Sequence, residues 1–370
     1  YYMIQCADMG SRCNFWDNTA VRRMFFDLRT NDVRQNFALA SDDGCRCFIT
    51  TGFNAENFHC AAVYRTDNEG LPQIGVTRYS FMMTDKIRIA TRGSPLALAQ
   101  ANMVRDILAA AHPALAKDGA IEILPMRTTG DKIQVGSLAS AGGKGLFTKE
   151  IEDALLDNSA DIAVHSMKDV PTVLPEGLAL KALLPREDPR DALIAHDDTV
   201  KSLADLPIGA SVGTASLRRK ALLLSARPDV QIDILRGNVQ TRLDKVKAGE
   251  FDATFLAVAG LKRLGLFDRA TAIIDPDEML PAVCQGAIGI ECREDDASIC
   301  DLLATINHAE TEIRTHTERA FLALLDGSCR TPIGGLATIT GSTLSFRGLI
   351  VRPDGSEVHA AQRDGKLDAA

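Results

Sequence analysis

Short apolar runs alternate with helical patterns from residue 86 towards the C-terminus. Runs of about five apolar residues indicate buried strands, whereas apolar residues three and four positions apart over longer stretches indicate helices. Strands are predicted at 87–90, 121–124, 160–164, 208–212, 230–235, 253–259 and 288–292. Helices are predicted to begin at Pro95, Phe147, Leu217, just beyond Asn238, Ala297 and Glu310. Strands that alternate with helices predict an α/β fold with largely parallel sheets.

The first 84 residues follow neither pattern. They hold all four tyrosines and the single tryptophan of the chain, and they lack the residue order of a signal peptide. A metal site there is disfavoured because the candidate ligands lack the paired spacing typical of zinc sites. Those candidates are Cys45, Cys47, His59 and Cys60. We expect no metal, and we interpret residues 1–84 as a poorly ordered extension of doubtful origin, with Met83 as the natural first residue.

Composition narrows the class of protein. The 370 residues suggest two or three domains, and 46% hydrophobic with 24% charged residues is typical of a soluble globular protein. No apolar run has the roughly 18 residues that a membrane helix needs, so no membrane partner is expected. The net charge of −8 argues against a nucleic-acid partner, although a local basic cleft escapes a whole-chain sum. Cysteines without paired spacing after residue 84 favour a reducing cytoplasm.

Several predicted strands end in polar and cationic residues. In open α/β sheets ligands bind beyond the carboxyl ends of strands, and Ser94 also opens a helix whose free N–H groups attract anions. Because guanidinium groups bind carboxylates bidentately, this set predicts a site for a ligand with several carboxylates. A solvated surface charge explains any one of these arginines as well. The set comprises Arg92, Ser94, Lys168, Asp169, Thr214, Ser216, Arg218, Arg219 and Arg236.

Asp169 is the one carboxylate in this set. Surrounding cations favour its charged form, which suits it to stabilise a cationic intermediate or to accept hydrogen bonds from N–H donors. Neutralisation of Lys168 or of an arginine explains Asp169 equally well from spacing alone.

A cysteine follows the last long helical pattern. Gly327 ends that pattern, so Cys329 falls in a polar loop beside Arg330. A thiol in such a loop is a candidate for covalent modification, with an inert thiol as the alternative.

Six ordered motifs together resemble the porphobilinogen deaminase, or hydroxymethylbilane synthase, family. They run in the family's order from about residue 85 to the C-terminus. The motifs are RIATRGSPLAL at 88–98, GGKGLF at 142–147, HSMKDVP at 165–171, SLRR at 216–219, RGNV at 236–239, and GSC at 327–329 with PIG at 332–334.

The resemblance implies three domains. Domains one and two are expected to be α/β modules like the two lobes of periplasmic binding proteins, which flank a cleft, and domain three a small α+β module. Domain one would take residues 85–186 with 284–305, domain two residues 187–283, and domain three residues 306–370. The last would present the Cys329 loop to the cleft.

The resemblance also implies the activity. The family joins four porphobilinogen molecules into the linear tetrapyrrole hydroxymethylbilane and releases ammonia at each step, as a cytoplasmic monomer. Its dipyrromethane cofactor is held by a thioether to a cysteine that matches Cys329. By motif, Asp169 would be catalytic. Cofactor contacts would come from Cys329, Lys168, Ser216, Arg218 and Arg219, and substrate contacts from Arg92, Ser94, Thr214, Arg236, Arg242, Arg263 and Gln285. The cysteines outside the motif, Cys284, Cys292 and Cys300, are interpreted as packing residues.

Two features depart from the family pattern. Ala215 stands where members usually carry a hydroxyl residue, so one hydrogen bond to a substrate carboxylate would fall to Thr214 or Ser216. The sequence ends at Ala370, before the helix that normally closes domain three, so reduced stability is expected. The alternative function is a non-catalytic, two-lobed protein that captures a polycarboxylate, and Asp169 together with the cysteine loop argues against it.

Overall fold

The computed structural model describes residues 36–42, 45–53, 59–66, 72–78, 86–132, 145–325 and 331–367, and the chain divides into two compact units, Tyr1–Met83 and Thr84–Ala370. The strands are β1 Asn36–Asp42, β2 Cys45–Phe53, β3 His59–Thr66, β4 Pro72–Arg78, β5 Ile87–Arg92, β6 Ile121–Met126, β7 Ile162–Ser166, β8 Leu178–Leu183, β9 Asp191–Ala195, β10 Ser211–Gly213, β11 Gln231–Asp233, β12 Ala253–Ala257, β13 Ala272–Ile273, β14 Ile288–Arg293, β15 Ile333–Thr340, β16 Thr343–Val351 and β17 Val358–Lys366. The helices are α1 Pro95–Ala111, α2 Thr129–Lys132, α3 Lys149–Leu156, α4 Leu217–Ala226, α5 Val239–Lys247, α6 Val258–Arg263, α7 Ala297–Ala304 and α8 Ala309–Leu324.

The first unit contains a four-stranded antiparallel sheet in the order β1-β2-β3-β4. The sequence analysis expected no regular element here. One signal was available: Asp43-Gly44 separates β1 from β2, and this dipeptide favours the tight turn of a β-hairpin. That the segment is a non-native extension stays a prediction.

The first sheet of the second unit has the order β6-β5-β7-β14-β8. Strand β5 pairs in parallel with β6 and β7, and β14 pairs antiparallel with β7 and β8. Ala90 of β5 and Ala163 of β7 pack against Ile151 and Leu155 of α3, and all four are buried. The apolar face of the short helix α3 thus packs against one face of the sheet and helps to hold β7 in place.

The second sheet has the order β11-β10-β12-β9-β13, in which β9 is the antiparallel strand. Its core includes Leu193, Val212, Leu223 and Phe255. Both antiparallel strands, β9 and β14, come directly after a segment that crosses from one sheet to the other, 184–190 and 274–287. A strand that enters from the neighbouring sheet needs no crossover helix, so it is free to run against its neighbours.

The C-terminal part is an antiparallel sheet, β15-β16-β17, with α8 against it. Phe321 of α8 and Phe346 of β16 have ring centroids 5.0 Å apart. Gly348 permits this packing, since a Cβ there would lie 2.7 Å from the Phe321 ring. No helix among the described residues is long and apolar enough to span a bilayer.

The predicted α/β class is confirmed, but the prediction of largely parallel sheets is wrong. In each five-stranded sheet two strand pairs are parallel and two are antiparallel, because β14 and β9 enter from the neighbouring sheet and run against their neighbours. Some boundaries are corrected as well. The strand expected at 208–212 begins at Ser211, and Ile208 is 92% exposed. Gly209 has φ +75°, so a turn stands where the apolar run predicted a strand. The expected strand 253–259 ends at Ala257 because α6 begins directly after it. The division into domain one (85–186 with 284–305), domain two (187–283) and domain three (306–370) stays a prediction.

Candidate functional site

Strand β7 carries the centre of the site at its carboxyl end. After Ser166 the chain forms a 3₁₀ turn, Met167–Asp169, in which Met167 is buried and both Lys168 and Asp169 reach solvent. Gly289 on the adjacent β14 makes room for the Met167 side chain, because a Cβ there would lie 2.1 Å from its sulfur. The buried methionine therefore anchors the turn that presents the two charged residues.

Lys168 touches solvent and is also surrounded by protein charges. Its Nζ donates a hydrogen bond to Oε1 of Gln285 at 3.4 Å. Burial lowers the pKa of Lys168 to about 8, with the positive charge of Arg219 acting in the same direction and Asp169 opposing both. Lys168 thus combines an exposed position with a destabilised charge.

The Asp169 carboxylate is half-buried and, within the described residues, has no hydrogen-bond partner. A carboxylate beside several cations normally forms an ion pair with one of them. Among the described residues Asp169 forms no ion pair, so the geometry does not support the alternative that it merely neutralises a neighbour. The Asp169 oxygens remain available to a ligand.

Arg218 and Arg219 lie differently from the expectation. Both guanidinium groups are buried and bind the carboxylate of Asp191, each at 2.7 Å through Nη2. Arg218 also donates to the carbonyl of Leu280 at 2.8 Å, and Arg219 to that of Phe255 at 2.7 Å. Burial alone would raise the pKa of Asp191, but the two arginines outweigh it and hold that pKa well below its usual range. These arginines are thus partly neutralised before any ligand arrives.

The loop after β10 supplies hydroxyl groups. Thr214 Oγ1 accepts a hydrogen bond from the backbone N of Ser216 at 3.1 Å, and Ser216 Oγ caps α4 by accepting from the N of Arg219 at 3.4 Å. Both hydroxyls therefore hold the loop at the start of the helix. Ala215 lies between them, half-buried, and contributes no side-chain hydrogen bond.

Arg242 and Arg263 are two further half-buried cations whose charge is destabilised. Burial lowers the pKa of Arg242 to about 10, helped by the charges of neighbouring arginines that include Arg236, and burial lowers that of Arg263 to about 10. Arg242 Nε donates to the carbonyl of Gly237 at 2.9 Å, and Arg263 Nη2 to that of Gly286 at 2.7 Å. Glu187 partly compensates the charge of Arg263. A half-buried cation whose charge is destabilised attracts an anionic ligand.

Arg92 and Ser94 stand apart from this cation group. Arg92 is ion-paired with Asp131, and its guanidinium carbon lies 4.3 Å from the centroid of the Phe147 ring. Burial would raise the pKa of Asp131, but hydrogen bonds, chiefly from Arg92, lower it. Ser94 Oγ accepts from the N of Ala97 at 3.3 Å and so caps α1 as predicted. The charge of Arg92 is matched by an ion pair with Asp131, whereas among the described residues neither Arg242 nor Arg263 forms an ion pair.

Cys329 lies outside the described residues, between the end of α8 at Leu324 and the start of β15 at Ile333. Cys284 and Cys292 are buried, and burial raises the pKa of both thiols. Cys300 is half-exposed, with its sulfur 3.8 Å from that of Cys292. The interpretation of these cysteines as packing residues fits Cys284 and Cys292 better than Cys300. Among the described residues no cluster suited to a metal ion is found.

Sequence reasoning missed the buried carboxylates that tie the segments between the sheets. Glu318 of α8 accepts from Arg186 at 2.6 and 3.1 Å, from the backbone N of Cys284 at 2.5 Å and from that of Ala337 at 2.7 Å. It thereby joins both crossing segments to the C-terminal sheet. Asp191 was missed in the same way. A charged residue inside an otherwise apolar pattern was the available signal, because a buried charge requires a partner.

Gln285 joins the two halves of the site. Its side chain is buried, accepts from Lys168 after β7, and donates through Nε2 to Asp191 at 2.9 Å. The fold and these residues define an α/β protein with a cation-rich site at the carboxyl end of β7, the position at which α/β proteins bind ligands.

Comparisons with known proteins narrow this class. A family profile described as "Porphobilinogen deaminase, dipyromethane cofactor binding domain" matches residues 87–301, and one described as "Porphobilinogen deaminase, C-terminal domain" matches residues 313–370. The porphobilinogen deaminase of Nitrobacter winogradskyi is 58% identical over 283 residues, which cover 76% of this chain and 88% of that protein. The chloroplastic porphobilinogen deaminase of Oryza sativa is 56% identical over 283 residues, 76% of this chain and 78% of that protein.

Among solved structures, the Bordetella pertussis BvgS VFT2 domain aligns with 14% identity and a TM-score of 0.36 over 65% of this chain and 93% of that one. Because this TM-score is low, the α/β fold class is assigned from the sheets described above and not from this alignment.

The chain belongs to the porphobilinogen deaminase family. Its activity is that of a hydroxymethylbilane synthase, a transferase that joins porphobilinogen units into a linear tetrapyrrole with loss of ammonia. Residues 87–301, which contain the two five-stranded sheets, match the domain that binds the dipyrromethane cofactor. A non-catalytic binding protein is not favoured.

Proposed function

We propose that Asp169 is the catalytic residue of this reaction, and the single observation that supports it is a carboxylate without a hydrogen-bond partner in the described chain beside the clustered cations. Loss of ammonia from porphobilinogen gives a resonance-stabilised cation. The Asp169 oxygens stabilise that charge, accept hydrogen bonds from the pyrrole N–H groups and assist proton movement.

The cations hold the acetate and propionate groups that every pyrrole ring carries. Arg263 Nε and Arg218 Nε are buried and find no hydrogen-bond partner among the described residues, so each has a donor left for a carboxylate. This fits a cofactor of two linked pyrroles. Contacts to cofactor and substrate carboxylates are proposed for Lys168, Ser216, Arg218, Arg219, Thr214, Arg236, Arg242, Arg263, Gln285, Arg92 and Ser94.

We further propose that Cys329 carries the cofactor through a thioether. When bound, the dipyrromethane supplies the free pyrrole position to which the first porphobilinogen is joined. A thioether keeps the growing chain attached while the cations hold successive carboxylates. The protein is proposed to act as a cytoplasmic monomer, and free thiols at Cys284, Cys292 and Cys300 fit a reducing compartment.

The ionisation of Lys168 gives an experiment that tests this site. Below pH 8 Lys168 is protonated and holds a carboxylate, and above that pH the charge is lost, so kcat/KM for porphobilinogen is expected to fall as pH rises through about 8. The fall approaches about tenfold per pH unit. Lys168→Arg keeps its charge, so its descending limb is expected at higher pH. The measurement is initial rate against pH.

Lys247→Arg is the matched control, because Lys247 is exposed on α5 and lies outside the site. It should retain the wild-type profile. Identical limbs for wild type and Lys168→Arg would remove Lys168 from the proposed carboxylate contacts.

Deletion of residues 1–82 is expected to leave kcat and KM within about twofold of the full chain. All described site residues lie in the second unit, which has its own cores. The check is steady-state kinetics on both chains. Loss of folding or turnover in the shorter chain would show that the first unit is part of the working enzyme.

A further inference from the structure

Asp191 opens β9, is fully buried, and accepts hydrogen bonds from two other parts of the chain, α4 and the segment 274–287. Its Oδ2 accepts from Nη2 of Arg218 at 2.7 Å, and its Oδ1 accepts from Nη2 of Arg219 at 2.7 Å and from Nε2 of Gln285 at 2.9 Å. Every donor to this carboxylate thus belongs to the proposed carboxylate-binding set.

The positive and negative charges around Asp191 do not cancel, because two buried guanidinium groups share its one carboxylate. Without Asp191 the guanidinium groups of consecutive residues would repel each other in a poorly solvated place. With Asp191 present, both guanidinium groups are held in fixed orientations and the cluster keeps a net charge of one positive unit. That net positive charge is available to attract an anionic ligand.

The orientation of Gln285 depends on the same carboxylate. A glutamine amide has one accepting oxygen and one donating nitrogen, and Asp191 together with the carbonyl of Pro189, at 2.8 Å, requires the nitrogen on its side. The oxygen must then face Lys168, where it accepts from Nζ at 3.4 Å. If the amide turned over, its nitrogen would face the ammonium group and repel it.

We propose that Asp191 is a positioning residue, which orients Arg218 and Arg219 directly and Lys168 through Gln285 for a substrate that bears several carboxylates. This inference rests on the proposed function of the site. Asp191 touches neither substrate nor cofactor in this role, and its effect reaches them through three cationic side chains.

The Asp191 charge also affects how kcat/KM depends on pH. The charged groups that act on Lys168 are Asp169, Asp191, Arg218 and Arg219, and the two carboxylates favour its protonated form. Removal of the Asp191 charge leaves the arginines unopposed. The descending limb of kcat/KM is therefore expected to move to lower pH, which a loss of packing alone would not produce.

The test compares Asp191→Asn, Gln285→Met and wild type in porphobilinogen kinetics from about pH 6 to about pH 9, a range that brackets the limb. Asp191→Asn is expected to raise KM about tenfold, with a smaller fall in kcat, and to shift the limb downwards by roughly half a pH unit or more. Gln285→Met leaves the ion pairs of Arg218 and Arg219 with Asp191 in place. Because it removes the oxygen that accepts from Lys168, it is expected to shift the descending limb in the same direction. Asp198→Asn, at an exposed position, is the matched control.

Intact mass verifies that each variant carries its cofactor, and thermal unfolding verifies that it has folded. Should Asp191→Asn fail to fold, Gln285→Met decides the outcome. A wild-type KM and limb in a folded Asp191→Asn, or in Gln285→Met, overturns the inference. If Lys168→Arg moves the limb while these variants do not, only the positioning role of Asp191 fails. If Lys168→Arg does not move the limb, the proposed carboxylate contact of Lys168 fails, and the positioning of Lys168 through Gln285 fails with it.

Discussion

Replacement of Asp169 by asparagine is expected to slow turnover by about 10²–10⁴-fold, because an amide of the same shape neither neutralises a cationic intermediate nor accepts a proton. Folding should be retained. The side chain is half-buried and makes no hydrogen bond within the described part of the chain, so little native structure depends on it. The measurement is kcat for porphobilinogen consumption, with thermal unfolding as the check on structure.

Two further variants sharpen this experiment. Asp169→Ala should lose at least as much activity as Asp169→Asn, while Asp198→Asn, an exposed carboxylate outside the site, should turn over normally. Cofactor content measured by intact mass should be unchanged in all three. Near-normal turnover in Asp169→Ala would refute the catalytic assignment.

Replacement of Cys329 by alanine is expected to remove the cofactor and to reduce turnover by about a thousandfold or more, since the growing chain then has no covalent anchor. Intact mass of protein made in cells should show one added dipyrromethane on the wild type and none on Cys329→Ala. Cys300→Ala is the matched control, because Cys300 is half-exposed and outside the motif. An unmodified wild type that is fully active would overturn the attachment.

The centre of the site was predictable because its residues follow the strand pattern. A buried apolar run that ends in Lys168 and Asp169 places both at the carboxyl end of β7, where ligands of α/β sheets bind. The helix caps at Ser94 and Ser216 follow from local sequence in the same way.

The partners of the cations were not predictable from local sequence. Asp191 meets Arg218 and Arg219 from 27 and 28 positions away and Gln285 from 94 positions away. Such pairings depend on how the two crossing segments lie beside each other, which no local pattern encodes. An arginine in a binding motif can therefore be partly neutralised within the protein, as Arg218 and Arg219 are.

The strand boundaries near Ile208 failed for a different reason. The apolar run 208–212 contains Gly209, whose positive φ places a turn inside the run and leaves Ile208 exposed. Strand β17 at one edge of the C-terminal sheet was missed because it has an exposed side chain at every position, so it lacks an apolar face that periodicity could detect.

The central claim is that the substrate chain grows on Cys329 and that Asp169 performs each condensation. The most direct test is intact mass of the holoenzyme, quenched after addition of a few equivalents of porphobilinogen, followed by mapping of the modified peptide. We predict a ladder of masses spaced by porphobilinogen less ammonia, all on the peptide that contains Cys329, and a ladder that forms far more slowly in Asp169→Asn. A ladder on any other peptide, or one that forms at the wild-type rate in Asp169→Asn, would contradict the account.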